Sequence, residues 1–447
     1  AGLIGEREDS PNVRHALRLA AERGVEVEIR THPDSGRNPN TVSMELTRGG
    51  RTYAVVGVSV GGGEIEMTEL EGFPVCLRGN EDGALFIGPD GLGRAVFEER
   101  LGALSGFSCV KDGERALYLC LAEKPFPDGM DMPGLEMFPV RNILGNKLAD
   151  AEPLFSTLAA MAEMAGGDLP RLIERYEARR SGTGRDEVRA AVLHHWEVMK
   201  ASMADGLAGK SDMLAGLVPG DAGFRLARRV ESGQALSGRT IGMAVARALA
   251  VMENNGSMRC VVAAPTAGAC GVLPGAILSV AEERGLSDDA IVDGLLVAAA
   301  VGVLVAMRAP ISGAIGGCQS EIGVASAMTA AGLAQLGGGT PEQVIHAAAI
   351  ALKNLLGLIC DPVAGPVEIP CIKRNAVGVS NAFAAADMAL AGIASRIPPD
   401  EVVDALINVQ GLLHPDLRGN LRGGLASTAT GRALKDEWYA RMKRMQA

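Results

Sequence analysis

Lys124-Pro125-Phe126-Pro127-Asp128-Gly129-Met130-Asp131-Met132-Pro133-Gly134, with Pro139 following, puts four prolines and two glycines into sixteen positions. A stretch so dense in residues that break both helix and strand marks a connecting arm, and residues 124–150 are assigned to it. The chain reads differently on its two sides. Ahead of the arm, strand-like alternation mixes with helical spacing; behind it, nearly everything repeats with helical period. The fold class that follows is α+β: an N-terminal mixed α/β domain followed by a large all-α domain over 151–447.

Ahead of the arm, Asn12 to Arg23 carries apolar residues at helical spacing, and Val25 to Ile29 alternates as a strand does. Val42–Thr47 and Arg51–Val60, joined at Arg48-Gly49-Gly50, read as a hairpin; Glu64–Leu70 follows Gly61-Gly62-Gly63 and completes a small meander within 1–72. Residues 73–123 read as a strand at Leu85–Ile87, a helix from about Leu92 to Leu104 and a strand at Arg115–Leu121. Behind the arm, ten helices are predicted at about 152–165, 168–179, 185–205, 238–254, 274–284, 288–307, 319–336, 341–357, 376–394 and 400–412.

The 447 residues exceed what one core usually holds. With 3% aromatics and 58 glycines, the helices are expected to pack closely through small side chains. A net charge of -10 without a Lys/Arg run argues against nucleic acid and for a small ligand. The longest strongly apolar run, the 13 residues Leu295 to Met307, is too short to cross a bilayer and reads as a buried helix, so no membrane partner is expected. Eight scattered cysteines do not make a disulfide framework; they suit reduced thiols in a cytoplasm. No signal peptide opens the chain, and a start without Met is expected of a processed, trimmed or severed protein.

Three cysteines stand beside backbone breakers: Cys318 after Gly316-Gly317, Cys360 before Asp361-Pro362, and Cys371 after Pro370. Each is therefore expected at a helix end or in a loop, where a sulfur can face a ligand. Their spacing excludes a zinc knuckle. Three inert buried cysteines and three ligands of an iron-sulfur group with one open iron both remain compatible with it. Two glycine-rich loops, Pro265 to Gly271 and Ser312 to Gly317, lead into helices; they read either as tight corners or as seats for a carboxylate.

The segments Ala264-Pro265-Thr266-Ala267-Gly268-Ala269-Cys270-Gly271, Gly316-Gly317-Cys318-Gln319-Ser320-Glu321-Ile322-Gly323, Leu358-Ile359-Cys360-Asp361-Pro362-Val363-Ala364-Gly365 and Pro370-Cys371-Ile372-Lys373-Arg374-Asn375 carry a resemblance. Together with Gly423-Gly424-Leu425-Ala426, they resemble the α part of the iron-sulfur-dependent L-serine dehydratases over roughly residues 150–435. The resemblance implies a [4Fe-4S] cluster held by Cys318, Cys360 and Cys371, its fourth iron open to substrate. It also implies loss of the α-proton and β-hydroxyl of an amino acid, with hydrolysis of the resulting imine to a 2-oxo acid and ammonia. Thr266, Ala267, Gly268, Ser312 and Asn375 are the candidates for gripping the amino acid, and Lys373 and Arg374 are catalytic candidates. Glu321 and Asp361 are expected to orient the site, whereas Cys270, His194, His195 and His346 are expected to be structural.

The N-terminal part resembles the family's β portion only in fragments, at Asn38-Pro39-Asn40-Thr41 and Gly57 to Ile65. The Ser-Ser-His-Thr stretch of relatives is absent, and Asn38 stands where they carry His, with His32 six positions before. The expected assembly is a homo-oligomer or a complex with a chain supplying the missing β segment. Residues 73–123 occupy the place of a small ACT-type regulatory domain in some relatives. The final residues, Arg441 to Ala447, lack the cysteine with which some relatives cap the open iron, so an oxygen-labile activity is expected. The two other functions compatible with the residues are a lyase expelling sulfide from a thiol amino acid and a non-catalytic cluster-bearing subunit or sensor.

Overall fold

Gly49 and Gly50 turn the chain at φ of 60° and 80°, the left-handed pair that a two-residue hairpin loop needs. Across that turn β1 (Thr41–Arg48) and β2 (Arg51–Gly61) pair antiparallel, with Arg48 opposite Arg51. β3 (Glu64–Leu70) and β4 (Phe73–Leu77) continue the meander to an antiparallel sheet of order β1-β2-β3-β4. The computed structural model describes residues 1–7, 10–30, 40–61, 64–127, 130–143 and 152–446; His32, Asn38, Pro39, Gly62, Gly63 and residues 144–151 lie outside them.

One compact unit takes residues 34–152 and 178–183, the other residues 1–33, 153–177 and 184–447. In the first, β5 (Asp82–Pro89), β6 (Gly106–Asp112), β7 (Arg115–Ala122) and β8 (Glu136–Val140) form a second antiparallel sheet of order β6-β7-β5-β8. β7 thus lies between β5 and β6, a split β-α-β arrangement. β8 arises inside the breaker-rich arm and pairs with β5. The helix between β5 and β6 seals the sheet through buried Phe97, whose ring centroid lies 5.4 Å from that of Phe86 and 5.0 Å from that of Tyr118. Leu70, Phe73 and Leu77 of the meander share a core with Leu85, Ile87, Leu117 and Val140 of the second sheet.

The second unit opens with a short helix α1 (Ala16–Glu22); the helix bearing Phe97 is α2 (Arg94–Leu101). The alternating run Val25 to Ile29 forms no strand: Val25, Val27 and Ile29 are all exposed, and among the described residues no strand pairs with them. Alternation describes a strand only where a partner takes up its backbone groups.

The helices of this unit are α3 (Leu158–Met164), α4 (Leu169–Ser181), α5 (Arg185–Leu207), α6 (Ala222–Glu231), α7 (Gly238–Gly256), α8 (Val272–Arg284), α9 (Asp288–Ala306), α10 (Gly313–Gly316), α11 (Val324–Leu336), α12 (Pro341–Asn354), α13 (Cys371–Leu390), α14 (Pro399–Leu412) and α15 (Ala429–Gln446). The chain is therefore α+β, with the strands ahead of all the helices but α1 and α2. α6, α10 and α15 arise where no helix was expected, and α13 begins five residues before its expected start. α11 is the centre of the unit. Every residue from Val324 to Ala334 is buried, and α8, α9, α12 and α13 surround it. α9 is long and apolar enough to span a bilayer by length and composition, yet 67% of its apolar window is buried inside the protein against neighbours that include α11. It serves as a core helix.

Small residues let these helices touch backbone to backbone. A Cβ at Gly275 of α8 would lie 2.6 Å from the Ala244 carbonyl oxygen of α7, one at Gly206 of α5 2.4 Å from the Ala250 oxygen, and one at Gly223 of α6 2.7 Å from the Ala250 nitrogen. Three helices therefore press against α7 where no side chain fits. Gly275→Ala is expected to lower stability by roughly 1–3 kcal/mol, since a rigid carbonyl cannot step aside; chemical denaturation measures it, and an unchanged midpoint would contradict this packing.

Candidate functional site

Cys318 sits at the entrance to α11. It follows Gly317, at φ 82°, and precedes a π-helical turn, Gln319–Gly323, that runs into the helix. Gln319 anchors the turn: its backbone N–H donates to Leu358 O at 2.9 Å, its Nε2 donates to Gly316 O at 2.9 Å, and its Oε1 accepts from Gly357 N at 2.9 Å. Gln410 of α14 holds the next residue, donating from Nε2 to Ser320 Oγ at 2.8 Å and to Pro310 O at 2.9 Å. The segment entering Cys360 is thereby tied to the one bearing Cys318.

Cys360 is fixed by its backbone, donating from N to Leu417 O at 2.8 Å and accepting at O from Gly419 N at 2.6 Å. A Cβ at Gly313 or at Gly419 would lie 3.2 Å from the Cys360 sulfur, and the Gly419 φ of 81° also suits glycine. Two backbone segments thus flank this sulfur closely. Cys371 is the first residue of α13, where free N–H groups and the helix dipole favour a thiolate.

All three thiols are buried. The sulfurs of Cys318 and Cys360 and a carboxylate oxygen of Glu321 lie within 4.8 Å of one another. A hydrogen bond with Cys318, then burial, then the negative charge of Cys318, Glu321 and Cys371 push the Cys360 thiol well above its ordinary pKa. Burial, followed by the charges of Cys318 and Glu321, does the same to Cys371 against a smaller opposing pull from Arg374. Burial also raises Glu321, although Thr266 Oγ1 donates to its Oε1 at 2.8 Å. These groups form a concentration of sulfur and oxygen donors that repel one another when ionised.

Arg374 answers that charge. Its guanidinium donates from Nη1 to Cys318 Sγ at 3.4 Å and to Ile359 O at 2.7 Å, and its Nη2 lies 2.6 Å from Asp361 Oδ1. That oxygen is buried and takes no directed hydrogen bond, so the contact is an ion pair; the other carboxylate oxygen accepts from Leu425 N at 2.8 Å. Burial works against the cation, but the charges of Cys318 and Asp361 outweigh it and raise its pKa. Lys373, one residue earlier on the helix, is exposed. Successive residues of a helix point about 100° apart, so only one of the pair turns inward.

Asn375 is fully buried, and its amide is engaged by backbone: Oδ1 accepts from Gly271 N at 3.1 Å, while Nδ2 donates to Gly268 O at 3.0 Å and Cys371 O at 3.0 Å. It pins the Thr266–Gly271 loop to the start of α13. Thr266 and Ser312 are buried, Gly268 is half-buried and Ala267 is exposed at the rim. Asn375→Ala should leave that loop untied and cost roughly 2–3 kcal/mol. A fall in melting temperature with faster amide exchange at Gly271 is the expected reading.

Four residues were expected to be structural. Cys270 is buried with its sulfur 3.5 Å from Met252 Sδ, and burial pushes its thiol up to about 12. His194 and His195 are neighbours on α5, and His346 is on α12 with a buried, unpartnered Nδ1. Gly419 and Gln410 had no signal in the sequence, because their roles come from backbone proximity and packing across long separations; Gly313 lay in the glycine-rich loop already singled out, but its place beside the Cys360 sulfur was not legible.

The donor set suits a soft, positively charged group bound by thiolates. Comparison with known proteins bears on which. The family described as "Serine dehydratase alpha chain" matches residues 148–426, a span holding every donor above. A Bacillus subtilis (strain 168) protein named "Probable L-serine dehydratase, alpha chain" is 48% identical over 255 residues, 57% of this chain and 84% of that one. "L-serine dehydratase, alpha chain" of Peptoniphilus asaccharolyticus is 39% identical over 267 residues, 60% of this chain and 91% of that one. "L-serine dehydratase 1" of Escherichia coli (strain K12) is 40% identical over 248 residues, 54% of each chain.

Proposed function

The chain belongs to the serine dehydratase alpha chain family, and from that premise we propose that it is a deaminating lyase acting on L-serine or a similar β-hydroxy amino acid. The products are a 2-oxo acid and ammonia. The observation that carries the reading is the meeting of the Cys318 and Cys360 sulfurs with the Glu321 carboxylate within 4.8 Å, with buried Cys371 feeling the charge of Cys318 and Glu321, no disulfide among the three and the Arg374 guanidinium on Cys318.

We propose that these three thiols hold a [4Fe-4S] cluster. The fit rests on the soft donors, on the mutual repulsion that a positive group would relieve, and on the two glycines that bring backbone against the Cys360 sulfur. When bound, a cluster with three protein thiolates supplies Lewis acidity toward a departing hydroxyl through its fourth iron.

The chain's own groups do the rest. Arg374 balances the thiolate charge, and its ties to Ile359 O and Asp361 keep it in place. A guanidinium does not give up its proton in this pH range, so Arg374 acts by charge rather than as a base. The rim formed by Thr266, Ala267 and Gly268, with Ser312, is proposed to seat the amino acid, and Asn375 to hold that rim rigid. Relatives named as alpha chains imply a second chain type in their own assemblies, and a partner chain or a homo-oligomer is proposed here as well.

Anaerobic reconstitution with iron and sulfide, followed by assay of L-serine, L-threonine and L-cysteine for 2-oxo acid, ammonia and sulfide, tests the proposal. Release of 2-oxo acid and ammonia from L-serine supports it. Sulfide released from L-cysteine alone would point instead to a desulfidase, and a cluster without turnover of any amino acid to a sensor.

A further inference from the structure

The ten residues between Cys360 and Cys371 are gripped by an element that lies beyond the family-matched span of 148–426. Val363 and Ala364 from this loop are buried in a small core with Ala215 and Trp438, against which Leu217, Ile369, Leu434 and Met442 pack. Trp438, Leu434 and Met442 belong to α15. The Arg441 guanidinium lies over the Trp438 ring at 4.9 Å and donates to Leu214 O at 2.6 Å. The 214–218 segment is in turn fastened to the loop by buried Glu368, which accepts from Ala215 N at 2.8 Å, Leu217 N at 2.7 Å and Val218 N at 3.3 Å.

We propose that α15 is a clamp on the loop joining two of the three thiols, with Trp438 as its positioning residue. This rests on the cluster reading above. Trp438 shares its core with Val363 and Ala364 of the loop, and by filling the space beside them it holds Cys360 at a set distance from Cys371. A loop with two ligand sulfurs at its ends opens by local unfolding, and each opening exposes the bound group. Removing the indole lowers the cost of that opening while leaving every ligand in place.

The test compares full-length wild-type, Trp438→Ala, Trp438→Phe, Arg441→Met and Leu172→Ala proteins after anaerobic reconstitution. Leu172 is a buried residue of α4 and serves as a control for general destabilisation. The readouts are iron content and the rate at which an excess iron(II) chelator withdraws iron without oxygen. Trp438→Ala is expected to load as wild type does and to release iron about ten-fold faster. Trp438→Phe should restore most of the retention, and Leu172→Ala should release at the wild-type rate despite a lower melting temperature. Should Trp438→Ala fail to fold, Arg441→Met, which loosens the same contact without a cavity, is expected to release iron measurably faster.

Wild-type release from both folded clamp variants, or equal acceleration in Leu172→Ala, would overturn the clamp. A wild-type protein that takes up no iron would overturn the cluster reading, and the clamp with it. The two failures are distinguishable, because release rates are compared only among loaded proteins.

Discussion

Cys360→Ala protein, reconstituted without oxygen, is expected to fold but to hold far less than the about four irons of a complete cluster. Its activity on L-serine should fall about a thousand-fold or more, the loss of several kcal/mol of charge stabilisation on the leaving group. Cys318→Ala and Cys371→Ala should behave alike, because on the proposed reading removing any one of three thiolates leaves an incomplete cradle. Cys270→Ala is the counterpart: its sulfur faces Met252, so iron content should not change. A normal cluster in any one of the first three proteins would remove that residue from the ligand set. Iron lost from Cys270→Ala would overturn the three-thiol assignment altogether.

The second large effect is expected at Arg374. Its partner Asp361 is only 3% exposed at the side chain, and Arg374 itself is 15% exposed. Breaking a buried pair by removing one member strands the other charge and typically costs about 3–5 kcal/mol. Arg374→Met should therefore destabilise the helical unit by that order in chemical denaturation. Arg374→Met with Asp361→Asn should recover part of the loss, because the stranded carboxylate is gone. Arg374→Lys keeps a charge but not the fork that reaches Cys318, Ile359 and Asp361 together, so it should rescue stability less than a simple charge count suggests. A single mutant as stable as wild type would contradict the ion pair.

How far the sequence carries depends on whether a feature is local. The β1-β2 hairpin was legible because alternation and a Gly-Gly turn coincide within twenty residues. β4, β6 and β8 were not, and all three lie at sheet edges, where short strands tolerate Pro74 and Pro139 in place of a ladder of hydrogen bonds. Val25 to Ile29 shows the converse, a strand pattern without a partner strand among the described residues. α6 and α15 are rich in charge and were hidden by it, although Trp438 of α15 is buried.

Around the site, the breakers beside Cys318, Cys360 and Cys371 announced segment ends, and Glu321 and Asp361 stood next to them in sequence. The start of α13 at Cys371 rather than near residue 376 places Lys373, Arg374 and Asn375 on one helical turn, which separates the roles of the first two. Nothing in the chain before folding could show that Gly419 or Gln410 would meet residues some sixty to ninety positions away.

The hydrogen bond from Gly271 N to Asn375 Oδ1 closes a sequence gap of 104 residues. The loop-closure entropy for such a contact must be met before its partners reward it, so the rim and the thiols are expected to come together late in folding, once α8 and α11 pack on α13. On the proposed reading, the nascent chain offers no cradle for iron until that packing is complete. Iron uptake then keeps time with folding: its rate in refolding experiments should never exceed the rate at which α11 becomes protected from exchange.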